Sequence, residues 1–332
     1  MTRTFAASTK GICETCGLLF WVAVFFAAPA SAQDPNGKTI AQFSGPVTSL
    51  LFGDQPNQLL LAYQNRLATF DLESGLTTRE IELPMAQVLD IQFSRDRKQL
   101  YVAGGNPAQV GSLLVLGWPS LDVIKRFDLH SDSITDLALS PDESRIAVSS
   151  IDQTLTVLDL KTEAQHRFEG HSKPVTGLFW LDAKTIVSCS EDTSLRVWET
   201  ATSSLKRTLN QHLDSVSGVV GLTGAYEPNP VVASFGRDRT VRFWQPATGR
   251  MIRFTQLDAQ PRCLLWSAAT DTLIVGDTEG QLHWLDWKTS KVLATRRITN
   301  GWIESHAISP NGKFILVGDD SGKLIMTDPR LR

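Results

Sequence analysis

Two sets of residues in this chain could do chemistry: His171, Ser188 and Asp192, and then His212, Ser234 and Asp238. Each has the composition of a nucleophile triad, with a hydroxyl to attack an acyl carbon, an imidazole to take its proton and a carboxylate to orient the imidazole. Hydrolysis is nevertheless not the expectation. Neither serine sits in a G-x-S-x-G elbow, and one set occurring in two consecutive segments points to something a repeat needs. The remaining histidines His166, His283 and His306 form no cluster with cysteine and have no metal-type spacing. Cys13 and Cys16 make a C-x-x-C, but Gly17 stands where haem attachment requires His. No catalytic residue, metal ligand or cofactor is therefore assigned.

The chain of 332 residues is 42% hydrophobic and 20% charged, enough apolar material for a large core, and its net charge of −3 carries no block of like sign. Nucleic acid and a polybasic membrane anchor are not expected partners. The first residues read as an export signal. Arg3 and Lys10 give a positive start, Gly17 to Ala28 an apolar run, and Ala30-Ser31-Ala32 a small-residue cleavage site. The run is shorter than a spanning helix and ends at Pro29, so cleavage after Ala32 is expected, leaving no stable membrane span. The expected organisation is a signal peptide over 1–32 and a single domain over 33–332. The absence of an N-x-Ser/Thr sequon leans towards a bacterial periplasm. Cys189 and Cys263 fall in different repeats and are expected to be free thiols.

The elements that must position these residues come from an internal repeat. Equivalent anchors stand at Val47, Val88, Ile134, Val175, Val216, Pro261 and Ile303, spaced by 41 to 46 residues, the period of four short strands. Strand-type alternation is visible in LRVWE from Leu195 and VRFWQ from Val241, with turn signals at Ser140-Pro141-Asp142, Asn311-Gly312, Gly75, Gly249 and Gly322.

On these residues the chain resembles the WD-repeat β-propellers. The fourth unit is the clearest, with Gly170-His171, Ser188, Asp192 and Trp198-Glu199 where that family has Trp-Asp; the fifth repeats it with His212, Ser234, Asp238 and Trp244. The third keeps His130 and Asp152 but has Val148 and Leu158 in the other two places. The remaining units keep only an apolar-acidic rhythm, as in Phe70-Asp71, Leu285-Asp286 and Thr327-Asp328. The resemblance implies an all-β, seven-bladed propeller of four-stranded blades. In it, hydroxyl, imidazole, carboxylate and indole form a structural hydrogen-bond chain. The last unit stops after three strands at Arg332, so Thr39 to Phe43 is expected to supply the fourth and close the ring.

The resemblance also places partners on the face around the central channel. The position after each anchor reads Thr48, Leu89, Thr135, Thr176, Ser217, Arg262 and Glu304, an open funnel of small hydroxyls with charge late in the chain. A second set, at the turns, reads Tyr63, Gln109, Ile151, Glu191, Arg237, Thr278 and Asp320. Trp180, Trp266, Trp198 and Trp244 align as core, whereas Trp302 precedes an anchor on a loop. Glu191, Arg237, Arg262, Trp302, Glu304 and Asp320 are thus the expected partner-binding residues. The expected function is a non-catalytic protein-binding scaffold in the periplasm or envelope, a monomeric propeller within a complex. A ligand-binding or lactonase-like enzymatic propeller and a structural module of a surface complex are the alternatives.

Overall fold

A computed structural model describes residues 37–222 and 230–329. The expected signal segment, its cleavage site after Ala32 and the Cys13/Cys16 pair lie outside the described residues. Among the described residues every regular element is a strand, and the twenty-eight strands form seven antiparallel sheets of four.

The seven inner strands are Val47–Phe52, Gln87–Phe93, Ile134–Leu139, Val175–Asp182, Val216–Leu222, Pro261–Ser267 and Ile303–Ile308. Each packs against the inner strand of the next sheet, and Ile303–Ile308 packs back against Val47–Phe52, so the sheets close a ring as seven blades. Exposure grades outward within each blade. The second strand, for example Thr185–Ser190 in blade four, is buried along its whole length, because neighbouring blades cover both its faces. The outer strand Ser204–Leu209 is exposed except at Leu209.

The core is correspondingly divided into seven clusters, each shared by two adjacent blades. Leu60, Val88 and Leu114 join blades one and two; Ala147, Leu178 and Trp198 join three and four. The seventh blade is completed by Lys38–Gln42, which pairs antiparallel with Lys323–Thr327. Ile40 and Phe43 then pack into the cluster between blades seven and one.

All seven inner strands carry a β-bulge at the same place. In blade four Val175 opposes Ser190 and Gly177 opposes Cys189, so Thr176 is the extra residue. Thr48, Leu89, Thr135, Ser217, Arg262 and Glu304 are the extra residues elsewhere. A bulge breaks strict alternation and re-aims side chains. Here it turns two consecutive residues of each inner strand towards the channel.

Deleting residues 33–45 removes the closing strand, bares one edge of Lys323–Thr327 and uncovers the cluster beneath Ile40 and Phe43. The truncated protein should melt at lower temperature and aggregate; thermal melting with size-exclusion chromatography checks this, and a stable truncated monomer would show closure to be dispensable.

Candidate functional site

The hydroxyl, imidazole and carboxylate of the fourth unit meet inside the blade. His171 lies on the loop entering it, Ser188 on its second strand, Trp198 on its third, and Asp192 on the turn between those two strands. Trp198 Nε1–H donates to Ser188 Oγ at 2.8 Å, Ser188 donates to His171 Nε2 at 2.8 Å, and His171 Nδ1–H donates to Asp192 Oδ2 at 2.7 Å. The carboxylate also accepts from the backbone N–H of Ser172 and from Ser194. Blade five repeats the chain through Trp244, Ser234, His212 and Asp238 at 2.8, 2.7 and 2.9 Å. Both serines are completely buried. Each hydroxyl proton is already given to an imidazole and no face remains for a substrate, so the arrangement ties a loop to its blade.

Electrostatics agree with a neutral imidazole. Burial lowers the proton affinity of His171 and His212 more than their aspartates raise it. Burial would raise Asp192 and Asp238, but the hydrogen bonds they accept, the histidine's foremost, outweigh it and hold both well below the usual carboxylate range.

In blade three the missing partners have a cost. His130 Nδ1–H reaches Asp152 Oδ2 at 3.0 Å. With Val148 and Leu158 in place of serine and tryptophan, His130 Nε2 is buried with no partner. Blades six and seven, by contrast, hold networks built differently. Asp277 lies directly opposite the anchor Pro261, where blade four has Ser190. Its Oδ2 binds His283 Nε2 at 2.9 Å, and its Oδ1 caps the backbone N–H groups of Glu279 and Gln281. Asp319 does the same in blade seven, accepting from Thr299 Oγ1 at 2.7 Å and capping Ser321 and Lys323. The sequence signal for both was a repeated triplet, Val275-Gly276-Asp277 and Val317-Gly318-Asp319.

At the channel mouth the seven bulge residues line one cavity of about 270 Å³. Three of the four bulge hydroxyls are committed to the neighbouring blade. Thr48 donates to the carbonyl of Val88, Thr135 to that of Val175 and Thr176 to that of Val216, at 2.9, 2.6 and 2.7 Å. Each threonine therefore staples its blade to the anchor of the next. Ser305 makes the equivalent bond to Val47 O across the closure of the ring, at 2.6 Å.

The charged residues of the rim fall into two groups. One nitrogen of Arg262 bonds both carboxylate oxygens of Glu304 at 2.8 and 2.6 Å, and its guanidinium lies 5.3 Å from the Trp302 ring centre. Trp302 is 47% exposed. Asp320 fixes its backbone, accepting from the N–H and donating to the carbonyl, both at 3.0 Å. Glu191 and Arg237 form a looser, more exposed pair at 3.8 Å and share a second cavity with Arg262. The pairing register also corrects the turn set. Tyr63 is the buried partner of Val47, so Gln64 is blade one's equivalent of Glu191; in blade two it is Gly105, not Gln109.

The structure adds to the sequence reading at three further residues. Leu213 is 85% exposed on the mouth face, at the position after the histidine where blades three and four have Ser131 and Ser172. Trp266 is half-buried, packing against the core cluster between blades five and six while also lining the opposite end of the channel. His306 does meet a cysteine, its Nδ1 lying 3.0 Å from Cys263 Sγ, and burial brings its pKa down to about 4. Cys189 and Cys263 are both free thiols.

In a ring of seven four-stranded blades, blades four and five carry the Trp-Ser-His-Asp chain to which the WD-repeat resemblance pointed. Residues 121–159 and 162–199 match the family model described as WD domain, G-beta repeat. Each match starts near the outer strand of one blade and ends with the third strand of the next, so every matched repeat stitches two blades. Among known proteins the chain is similar to the nuclear distribution protein nudF of Aspergillus niger, 29% identical over 42% of this chain and 32% of that protein. It is also similar to the COMPASS component SWD3 of Saccharomyces cerevisiae, 27% identical over 39% of this chain and 40% of that protein. The anaphase-promoting complex subunit cdc20 of Dictyostelium discoideum is 23% identical over 68% of this chain and 48% of its own length. The chain thus spans a third to a half of the length of these curated relatives.

The orphaned imidazole nitrogen of blade three gives a paired test. Burying a new hydroxyl ordinarily costs about 1–3 kcal/mol. Val187→Thr, one residue from Ser188, should show that cost, whereas Val148→Thr places a hydroxyl beside His130 Nε2 and should be near neutral. Chemical denaturation of both variants measures the difference.

The lowered histidines also set a pH dependence. When the folded pKa lies below that of the free side chain, near 6.5, the unfolded chain binds the proton first and stability falls with pH between the two values. For His306 that window runs from about 6.5 to about 4. The melting temperature of His306→Asn should therefore be flatter than that of the unmodified protein between those pH values, measured by calorimetry.

Proposed function

We propose that this protein is a non-catalytic protein-binding scaffold of the periplasm or cell envelope, and that its partner docks on the mouth face beside blades six and seven. The observation that carries the reading is the half-exposed Trp302 braced by Arg262, Glu304 and Asp320. An aromatic ring held rigid beside an ion pair is the composition of an interface anchor, since little side-chain entropy remains to be lost on binding. Leu213, exposed on the same face, adds apolar surface. The names of two relatives, a COMPASS component and an anaphase-promoting complex subunit, describe parts of assemblies. The burial of Ser188 and Ser234 removes the sequence feature that most resembled an enzyme. The export signal read from the sequence supports the compartment.

Trp302→Ala and Arg262→Ala should each weaken capture of the partner from envelope extract at least about tenfold, or about 1.4 kcal/mol, with the melting temperature of Trp302→Ala near the unmodified value. Arg126 is a poor control because it bonds Asp128, Ser112 and the Pro84 carbonyl. Lys161, exposed on a turn of blade three, serves instead. Normal capture by both variants would place the partner elsewhere, and mass spectrometry showing a mature chain that still begins at Met1 would remove the envelope.

A further inference from the structure

The end of the channel opposite the mouth opens into a cavity of about 770 Å³. Its wall is apolar where the mouth is polar, and Leu51, Ala138, Phe179, Val220, Leu265 and Trp266 all face it. Cavities that hold small molecules run to about 300–1,000 Å³ and combine such a wall with a few polar groups. Here the polar side chains are two carboxyls and the amide of Gln92, whose oxygen accepts the Leu139 N–H. Asp90 and Asp136, each the residue after a bulge, line both this cavity and the one behind the mouth, and so stand at the waist of the channel.

The two side chains hydrogen-bond to each other. Burial raises the pKa of both, and the charge of Asp90 raises Asp136 further. Neutral donors already serve its other oxygens: Ser49 Oγ and the Leu137 N–H reach Asp90, and the Leu137 and Leu178 N–H groups reach Asp136 at 2.9 and 2.8 Å. No basic side chain lines the lower cavity. In the upper one Arg262 is committed to Glu304, and burial keeps His306 neutral. Neither carboxyl therefore has a cationic side chain committed to it.

Two positions of the wall beside the pair carry no side chain. The equivalent inner-strand positions in blades four and five are Gly177 and Gly218, and a Cβ at Gly177 would stand 3.4 Å from Asp136 Oδ2. No side chain at position 177 covers that oxygen, which accepts the Leu178 N–H at 2.8 Å. The donor set does not suit a divalent cation, which seeks several oxygens free of N–H donors, and the described residues contain no cluster of three or more potential metal ligands. It suits an N–H cation that arrives with its own apolar surface.

We propose that the lower vestibule binds a small amphipathic primary amine, its ammonium group on Asp90 and Asp136 and its apolar body against Phe179, Leu265 and Trp266. The head supplies the cationic partner that neither carboxyl has, and the body displaces water from a wall that gains nothing from being wet.

The test titrates the full chain, by calorimetry, with octylamine, 2-phenylethylamine and tryptamine, each beside the alcohol of the same skeleton. At least one amine should bind with one-to-one stoichiometry and its alcohol at least about tenfold more weakly. Asp136→Asn should remove that preference. Val220→Phe, which fills the vestibule and leaves both carboxyls in place, should weaken amine binding by a similar factor, and Lys161→Ala, on an exposed turn of blade three, should leave it unchanged. If Asp136→Asn does not fold, Val220→Phe and the amine-to-alcohol ratio decide. Failure of all three amines to bind, equal affinity for amine and alcohol, or full affinity in folded Val220→Phe would overturn the proposal.

Discussion

A four-stranded blade has two apolar faces and no means of covering either by itself. Seven separate clusters, each shared by two adjacent blades, are the result, and no cluster belongs to one blade alone. An open row of blades would leave one face bare at each end, so the ring has to close, and with it the chain's first strand has to meet its last. The staples from Thr48, Thr135, Thr176 and Ser305 lie along this same path from blade to blade, adding direction to a packing force that has none of its own.

The buried polar chains obey a second constraint, that each member must find a partner. Blades four and five meet it with Trp, Ser, His and Asp. Blades six and seven meet it by moving the carboxylate two residues back, to Asp277 and Asp319, where it caps the same turn from inside the strand. Blade three meets it only in part. The three solutions are not interchangeable piece by piece, because a serine without its histidine, or a histidine without its serine, strands the other.

The blade count, the anchors and the closing strand were legible because all three follow from period and alternation, which survive substitution. The alternative networks were not, since Asp277 and His283 look unremarkable unless one knows that Asp277 faces Pro261 across the ladder. Tyr63 and Gln109 were misplaced for a related reason: hairpin length varies between blades, so equivalent turn residues differ in spacing and only pairing register aligns them. The acid pair escaped notice because a bulge shifts by one which residue of the inner strand faces inward. Spacing counted along an ideal strand passes over Asp90 and Asp136.

Those bulges separate two kinds of information carried by one inner strand. A residue that occupies a ladder position is constrained by the strands beside it, whereas the extra residue of a bulge faces no partner across the ladder. Threonine, leucine, serine, arginine and glutamate all stand at this position, on backbones that pair alike before and after it. The mouth is thus a ring of seven letters, three of them threonines that also tie blade to blade, and the other four could be rewritten without changing the grammar of the fold.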